Sequence, residues 1–155
     1  MIQIKKVIHP TDFSDNSKEA LQYAIAICEW HKAELLLLHV SEVLEFAPPE
    51  YYMDQNEASR QLKERINAAK NELERIAGEH RKAGLHVTAL VATGKPFVEI
   101  IHTAKEQNAD MIVLGTHGRT GLAHILIGST AEKVVRKAPC PVLTIRPSKQ
   151  KYVEP

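Results

Sequence analysis

The stretch MIVLGTHGRTGLAHILIGST, residues 111–130, decides how the whole chain is read. Met111 to Leu114 is a short apolar run without alternation, which suits a strand covered on both faces. Gly115 and Gly118 follow it and permit a tight turn. Gly128-Ser129-Thr130 then opens a helical segment that runs to Lys137 and is stopped by Pro139. A strand that passes through a glycine-bearing loop into a helix start creates an anion site. Such a start leaves up to four backbone N–H groups without intrahelical partners and carries about half a positive charge. Gly128 removes a Cβ that would hinder an approaching anion. Ser129 and Thr130 add hydroxyls that can donate to phosphate or ligate magnesium, and Arg119 can reach a terminal phosphate as a bidentate partner. Taken together, residues 115–130 read as a phosphate cradle.

Working outward, the same alternation of strand and helix repeats. Ile2 to Ile8 reads as a first strand, ending before His9-Pro10. Ser14 can cap a helix to about His31, with Ala20, Leu21, Ala24, Ile25, Ile27 and Cys28 on one stripe. Trp30 reads as a packing residue at its end. Glu34 to Val40 is a second strand with a continuous apolar run. Residues 41–55, with Pro48-Pro49, read as a loop. A polar helix follows over about 56–83. Its Leu62, Ile66, Ala69, Leu73 and Ile76 recur every three or four residues, over too short a span for a coiled coil, so the helix is expected to pack on a sheet. Gly84 is its expected stop. Leu85 to Ala92 is a third strand, Phe97 to Gln107 a short helix, and Val142 to Ile145 a fifth strand. The order βαβαβαβαβ predicts an α/β fold: a doubly wound, five-stranded parallel sheet with helices on both faces and right-handed crossovers. Ligands bind such sheets beyond the C-terminal strand ends, where the strand order reverses. Residues 1–147 are expected to form the single domain and 148–155 a flexible tail.

Composition narrows the function. The 155 residues are 44% hydrophobic and 25% charged, with 20 basic against 19 acidic side chains, so no basic footprint for nucleic acid is expected. The first residues lack the apolar core of a signal peptide, and no run approaches the ~20 apolar residues of a membrane span. Cys28 and Cys140 lie far apart, match no metal spacing and are expected to be reduced. Neither the P-loop pattern nor G-x-G-x-x-G is present, which argues against strong NTP hydrolysis and against NAD or FAD.

His9, His39 and His117 fall at strand C-termini, where a metal trio can be imagined. Strand alternation is expected to aim His9 and His39 away from the pocket. His117, inside the loop, is placed to hydrogen-bond phosphate or ribose. Asp12 stands just past the first strand. Beside a phosphate cradle its charge suits hydroxyl groups, as the ribose-binding acid does in dinucleotide folds. The competing reading is that Asp12 caps the following turn.

Gly115-x-x-Gly118, nine further residues, then Gly128-Ser129 resembles the G-x2-G-x9-G-[S/T] motif of nucleotide-binding universal stress proteins. The resemblance spans nearly the whole chain, from His9-Pro10-Thr11-Asp12-Phe13-Ser14 through Leu37-Leu38-His39-Val40 to Ala138-Pro139-Cys140-Pro141-Val142. It implies a Rossmann-like fold of the adenine nucleotide alpha hydrolase type, with strand order 3-2-1-4-5. It implies ATP, or AMP or ADP, as a regulatory ligand in a stress response, with Mg2+ or Mn2+ carried on the phosphates. Pro10 and Thr11 would shape the pocket floor, Asp12 would lie near ribose and adenine, and the Val40 backbone would meet the adenine edge. Gly115 would lie against the ribose. Thr116, His117, Gly118, Arg119, Thr120, Gly128, Ser129 and Thr130 would hold the phosphates. The resemblance also implies a cytoplasmic homodimer through Val142 to Ile145, with a tetramer as a further step. The alternatives are a slow ATPase, or a dimeric interaction module with a vestigial site.

Overall fold

The computed structural model describes residues 2–42, 55–117 and 127–148. Among these residues five strands and four helices alternate: β1 (Lys6–Pro10), α1 (Asp15–His31), β2 (Glu34–Ser41), α2 (Gln55–Lys82), β3 (Val87–Thr93), α3 (Pro96–Glu106), β4 (Met111–Gly115), α4 (Ser129–Lys137) and β5 (Val142–Ile145). The strands form one parallel sheet in the order β3-β2-β1-β4-β5. This is the predicted doubly wound arrangement. β1 and β4 are neighbours in space although two strands lie between them in sequence, so the strand order reverses between them.

Alternation along the central strands sorts the core into two layers. Val7, Leu35, Leu37, Val113 and Val87 face α1 and α2, where Leu21, Ala24, Ile25, Cys28, Leu73 and Ala77 meet them. Ile8, Leu36, Leu38, Ile112 and Leu114 face α3 and α4, against Ile100, Ala104, Ala131 and Val134. The apolar runs at 35–38 and 112–114 lack alternation because both faces are covered.

Some boundaries differ from expectation, each for a physical reason. β1 begins at Lys6, not Ile2, because its partner β2 begins opposite Lys6 at Glu34. Ahead of that point the Lys5 and Lys6 N–H groups bind the Asp110 carboxylate at 2.8 and 2.9 Å, and Ile2 is exposed. β3 begins at Val87, not Leu85, because the end of α2 uses Leu85. Its N–H donates to the His80 carbonyl while Gly84 N–H donates to Arg81, a Schellman pair that Gly84 closes at φ 93°. Trp30 stands in solvent, 86% exposed, and packs on nothing that buries it.

Leu73 is the fully buried anchor of α2 on the sheet. Leu73→Ala is expected to lower stability by ~2–5 kcal/mol, read as a lower urea midpoint with unchanged slope.

Candidate functional site

The site begins where β1 leaves the sheet. Thr11 N–H donates to the Leu38 carbonyl of β2 at 2.8 Å. The chain then turns through Asp12 and through Phe13, whose φ of 65° is left-handed. Ser14 caps α1 by accepting from Ser17 N–H at 3.2 Å. Asp12 Oδ1 accepts from Ser14 N–H at 3.0 Å and from Ser14 Oγ at 2.6 Å. The turn-capping role of Asp12 is therefore real, and the same residue lines the cleft. From β2, His39 Nδ1–H donates to the Thr11 carbonyl at 2.8 Å. The His39 ring stacks on Phe13 with centroids 4.7 Å apart. This pair of contacts holds the Phe13 backbone in a conformation that a non-glycine residue rarely adopts unaided.

The opposite wall begins where β4 ends. Thr116 N–H donates to the Ile145 carbonyl at 2.9 Å, and Gly128 N–H returns to the Thr116 carbonyl at 2.7 Å. A Cβ on Gly128 would stand 3.0 Å from that carbonyl oxygen, so a side chain here would push the two backbone segments apart by a few tenths of an ångström. Gly128 is the N-cap of α4 and offers no side-chain cap. The N–H groups of Ser129, Thr130 and Ala131 thus form the open end of the helix. The Gly128 N–H itself is already taken. His117 is buried, with Nδ1 2.9 Å from Thr116 Oγ1.

Between the two walls lies a cleft of about 880 Å³. Of the residues singled out in sequence, Pro10, Thr11, Asp12, Val40, Gly115, His117, Gly128, Ser129 and Thr130 line it. Thr116 lies beneath the wall, 2% exposed. Gly118, Arg119 and Thr120 lie outside the described residues. Sequence reasoning missed Phe13, Ser41, Glu42 and Pro96, and it missed Arg65 and Glu72 on α2, all of which line the cleft. Arg65 Nη2 donates to the Glu42 carbonyl at 3.3 Å. Arg65 and Glu72 flank Ala68 and Ala69 on one helical face, and only Ala69 of these four belongs to the apolar stripe read from the sequence.

The histidines separate. His39 lines the cleft, contrary to expectation, whereas His9 is fully buried and does not. His9 Nδ1 lies 2.9 Å from the Val113 carbonyl of β4, and Nε2 lies 3.3 Å from Ser17 Oγ. Ser17 Oγ is in turn 2.8 Å from Thr11 Oγ1. Burial pushes the His9 imidazole down to about 4, against the smaller upward pull of the Val113 hydrogen bond and of Asp12. Among the described residues no group of three His, Cys, Asp or Glu side chains could hold a metal ion. The two cysteines are free, and burial pushes the Cys28 thiol up to about 12.

Residues 3–146 match the model of the Universal stress protein family. The chain is 31% identical to Universal stress protein MJ0577 of Methanocaldococcus jannaschii, over 94% of this chain and 96% of that protein. The solved structure of MJ0577 superposes with a TM-score of 0.83, covering 96% of this chain and 99% of that one. A universal stress protein in complex with cAMP shares the fold at 23% identity and a TM-score of 0.59, covering 94% and 98%. So does an Arabidopsis thaliana family member with AMP bound, at 24% identity and 0.61, covering 94% and 97%.

His9 gives the site a pH signature. Its folded value, about 4, lies below its ordinary 6.5, so protons bind the unfolded chain more tightly. The stabilisation is fully present above pH 6.5 and is lost as pH falls towards 4. The loss is about 3 kcal/mol at roughly 1.4 kcal/mol per pH unit. Denaturant unfolding at stepped pH should show this acid slope, and His9→Gln should flatten it by close to one proton.

Proposed function

The chain belongs to the universal stress protein family, and from that premise we propose that its cleft binds an adenine nucleotide as a regulatory ligand in a stress response. The observation that carries the proposal is the open N-terminus of α4. Ser129, Thr130 and Ala131 line the cleft at the point where the strand order reverses, and in the proposed reading their N–H groups receive the anion. The cleft volume of about 880 Å³ falls within the ~300–1,000 Å³ of small-molecule sites.

In this reading the phosphates lie at Ser129 and Thr130, with His117 beside them and with Gly118, Arg119 and Thr120 of the connecting loop joining them. The ribose lies between Asp12 and Gly115. The adenine edge meets the Val40 backbone, at the C-terminal end of β2 beside the Phe13–His39 stack. Related proteins of this fold hold AMP and cAMP, which supports the ligand class. ATP is proposed because the cradle residues outnumber what one phosphate can use. With no cluster for a metal among the described residues, a divalent cation is proposed only as a companion of the phosphates, touched by the Ser129 or Thr130 hydroxyls.

No described helix is long and apolar enough to cross a membrane, and the proposal places the protein in the cytoplasm. β5 is an edge strand of half-buried residues, Val142 to Ile145. It is the proposed seam of a homodimer, since an unpaired apolar edge favours pairing with another strand.

Thermal unfolding with and without ATP and magnesium tests the reading, with GTP and AMP alongside. Ligand at about 100 times its dissociation constant should stabilise the fold by ~2.7 kcal/mol, a rise of several degrees at this chain length. In Gly128→Val the added side chain runs into the Thr116 carbonyl, and the ligand-induced rise should vanish. No rise in wild-type protein free of bound nucleotide would overturn the reading in favour of an interaction module.

A further inference from the structure

A chain of three side chains runs from the sheet interior to the cleft floor: His9 on β1, Ser17 on α1 and Thr11 in the turn between them. His9 and Ser17 are buried, at 0% and 5% exposure, and Ser17 and Thr11 both contribute to the cleft lining. We propose that His9 is a positioning residue that fixes the polarity of this hydroxyl relay, so that Thr11 presents only a hydrogen-bond acceptor to the cleft and selects ligands carrying a donor at that point. The inference rests on the nucleotide reading of the cleft for its ligand, but not for the relay itself.

The polarity follows from counting protons. His9 Nδ1 faces a backbone carbonyl, Val113 O, at 2.9 Å, and a carbonyl can only accept. Nδ1 therefore carries the ring proton. The buried ring is neutral near pH 7, since desolvation holds it down at about 4, and a neutral imidazole has one N–H. Nε2 is then a bare lone pair in a site without solvent, and Ser17 Oγ at 3.3 Å is its hydrogen-bond partner. A buried acceptor left unpaired is costly, so the Ser17 hydroxyl turns its single proton towards Nε2.

That choice propagates outward. The 2.8 Å contact between Ser17 Oγ and Thr11 Oγ1 must then carry the proton of Thr11. Thr11 Oγ1 also accepts from Phe13 N–H at 3.1 Å. Its proton is directed inward and one lone pair is already used. What remains for the cleft is the second lone pair. A ligand meets an acceptor that cannot rotate into a donor without unpairing His9. Two donors of an adenine nucleotide fit this chemistry, a ribose hydroxyl and the exocyclic amine of the base.

Two measurements test the relay. The ring ¹⁵N spectrum of His9 near pH 7 should show the neutral Nδ1–H tautomer, and Ser17→Ala should shift Nε2 as its hydrogen bond is lost. Nucleotide titrations then compare ATP with analogues in which a donor becomes an acceptor: the 6-oxo purine, and the 2′-fluoro and 3′-fluoro sugars. One of these should bind wild-type protein more weakly by roughly tenfold, the scale of one net hydrogen bond. In Ser17→Ala, Thr11 is free to rotate, and the same ratio should fall to about twofold. Ser17→Thr, which keeps a hydroxyl, should restore it. An Nε2–H tautomer, or an unchanged ratio in Ser17→Ala, overturns the proposal. If wild-type protein binds none of the nucleotides, the functional reading falls, and the His9 spectrum still decides the relay.

Discussion

The pairing of β1 with β4 is the constraint on which the site depends. Their ladder runs through Val7 opposite Met111 and Ile8 opposite Ile112, and then the strands part. The next carbonyl along β4, that of Val113, is met by an imidazole rather than by backbone. His9 thus takes over from the ladder at the point where the two central strands diverge. A buried carbonyl must have a partner, and an apolar side chain at position 9 would remove this one. The gap that opens beyond this bridge is the cleft. Its two walls are the exits of the two strands that His9 joins.

Much of this was legible in the sequence, because the features that fix the fold are local. Apolar runs without alternation at 35–38 and 112–114 report strands covered on both faces. The capping Ser14 and the left-handed Gly84 mark helix ends through side-chain and backbone chemistry of single residues. The boundaries that were misplaced depend on partners far away in sequence. Ile2 fits a strand pattern but lies ahead of the Lys6–Glu34 pairing, and Leu85 is used by the helix before it.

The site was legible where it lies on strand ends and illegible where it lies on a helix flank. His39 has the same parity as Leu35 and Leu37, which are covered by α1 and α2. Parity alone therefore points it at a helix layer. At the C-terminal end of β2 that layer no longer covers the sheet, and the same direction becomes the cleft. Arg65 and Glu72 carry no local mark at all. Only the docking of α2, anchored by Leu73 and Ala77 on the sheet, brings that face of the helix to the cleft rim.

Gly128 shows why a motif residue must be read through its geometry. From sequence, the glycine looks like the point of anion contact. In the fold its N–H is bound to Thr116 O, and its missing Cβ makes room for that same carbonyl. The glycine therefore acts by holding the start of α4 against the end of β4, and the N–H groups left for an anion are those of the next three residues. This orients the cleft electrostatically. One end carries the partial positive charge of α4, and the other carries the Asp12 carboxylate, held by Ser14 on the turn of β1. A ligand with an anionic tail and an uncharged, hydroxyl-bearing body is favoured in one direction only, because reversing it would set the anion against Asp12. Shape admits many small molecules to a cleft of this volume. In the proposed nucleotide reading, the separation of these two charges narrows the choice, together with Glu42, Arg65 and Glu72 on the same lining.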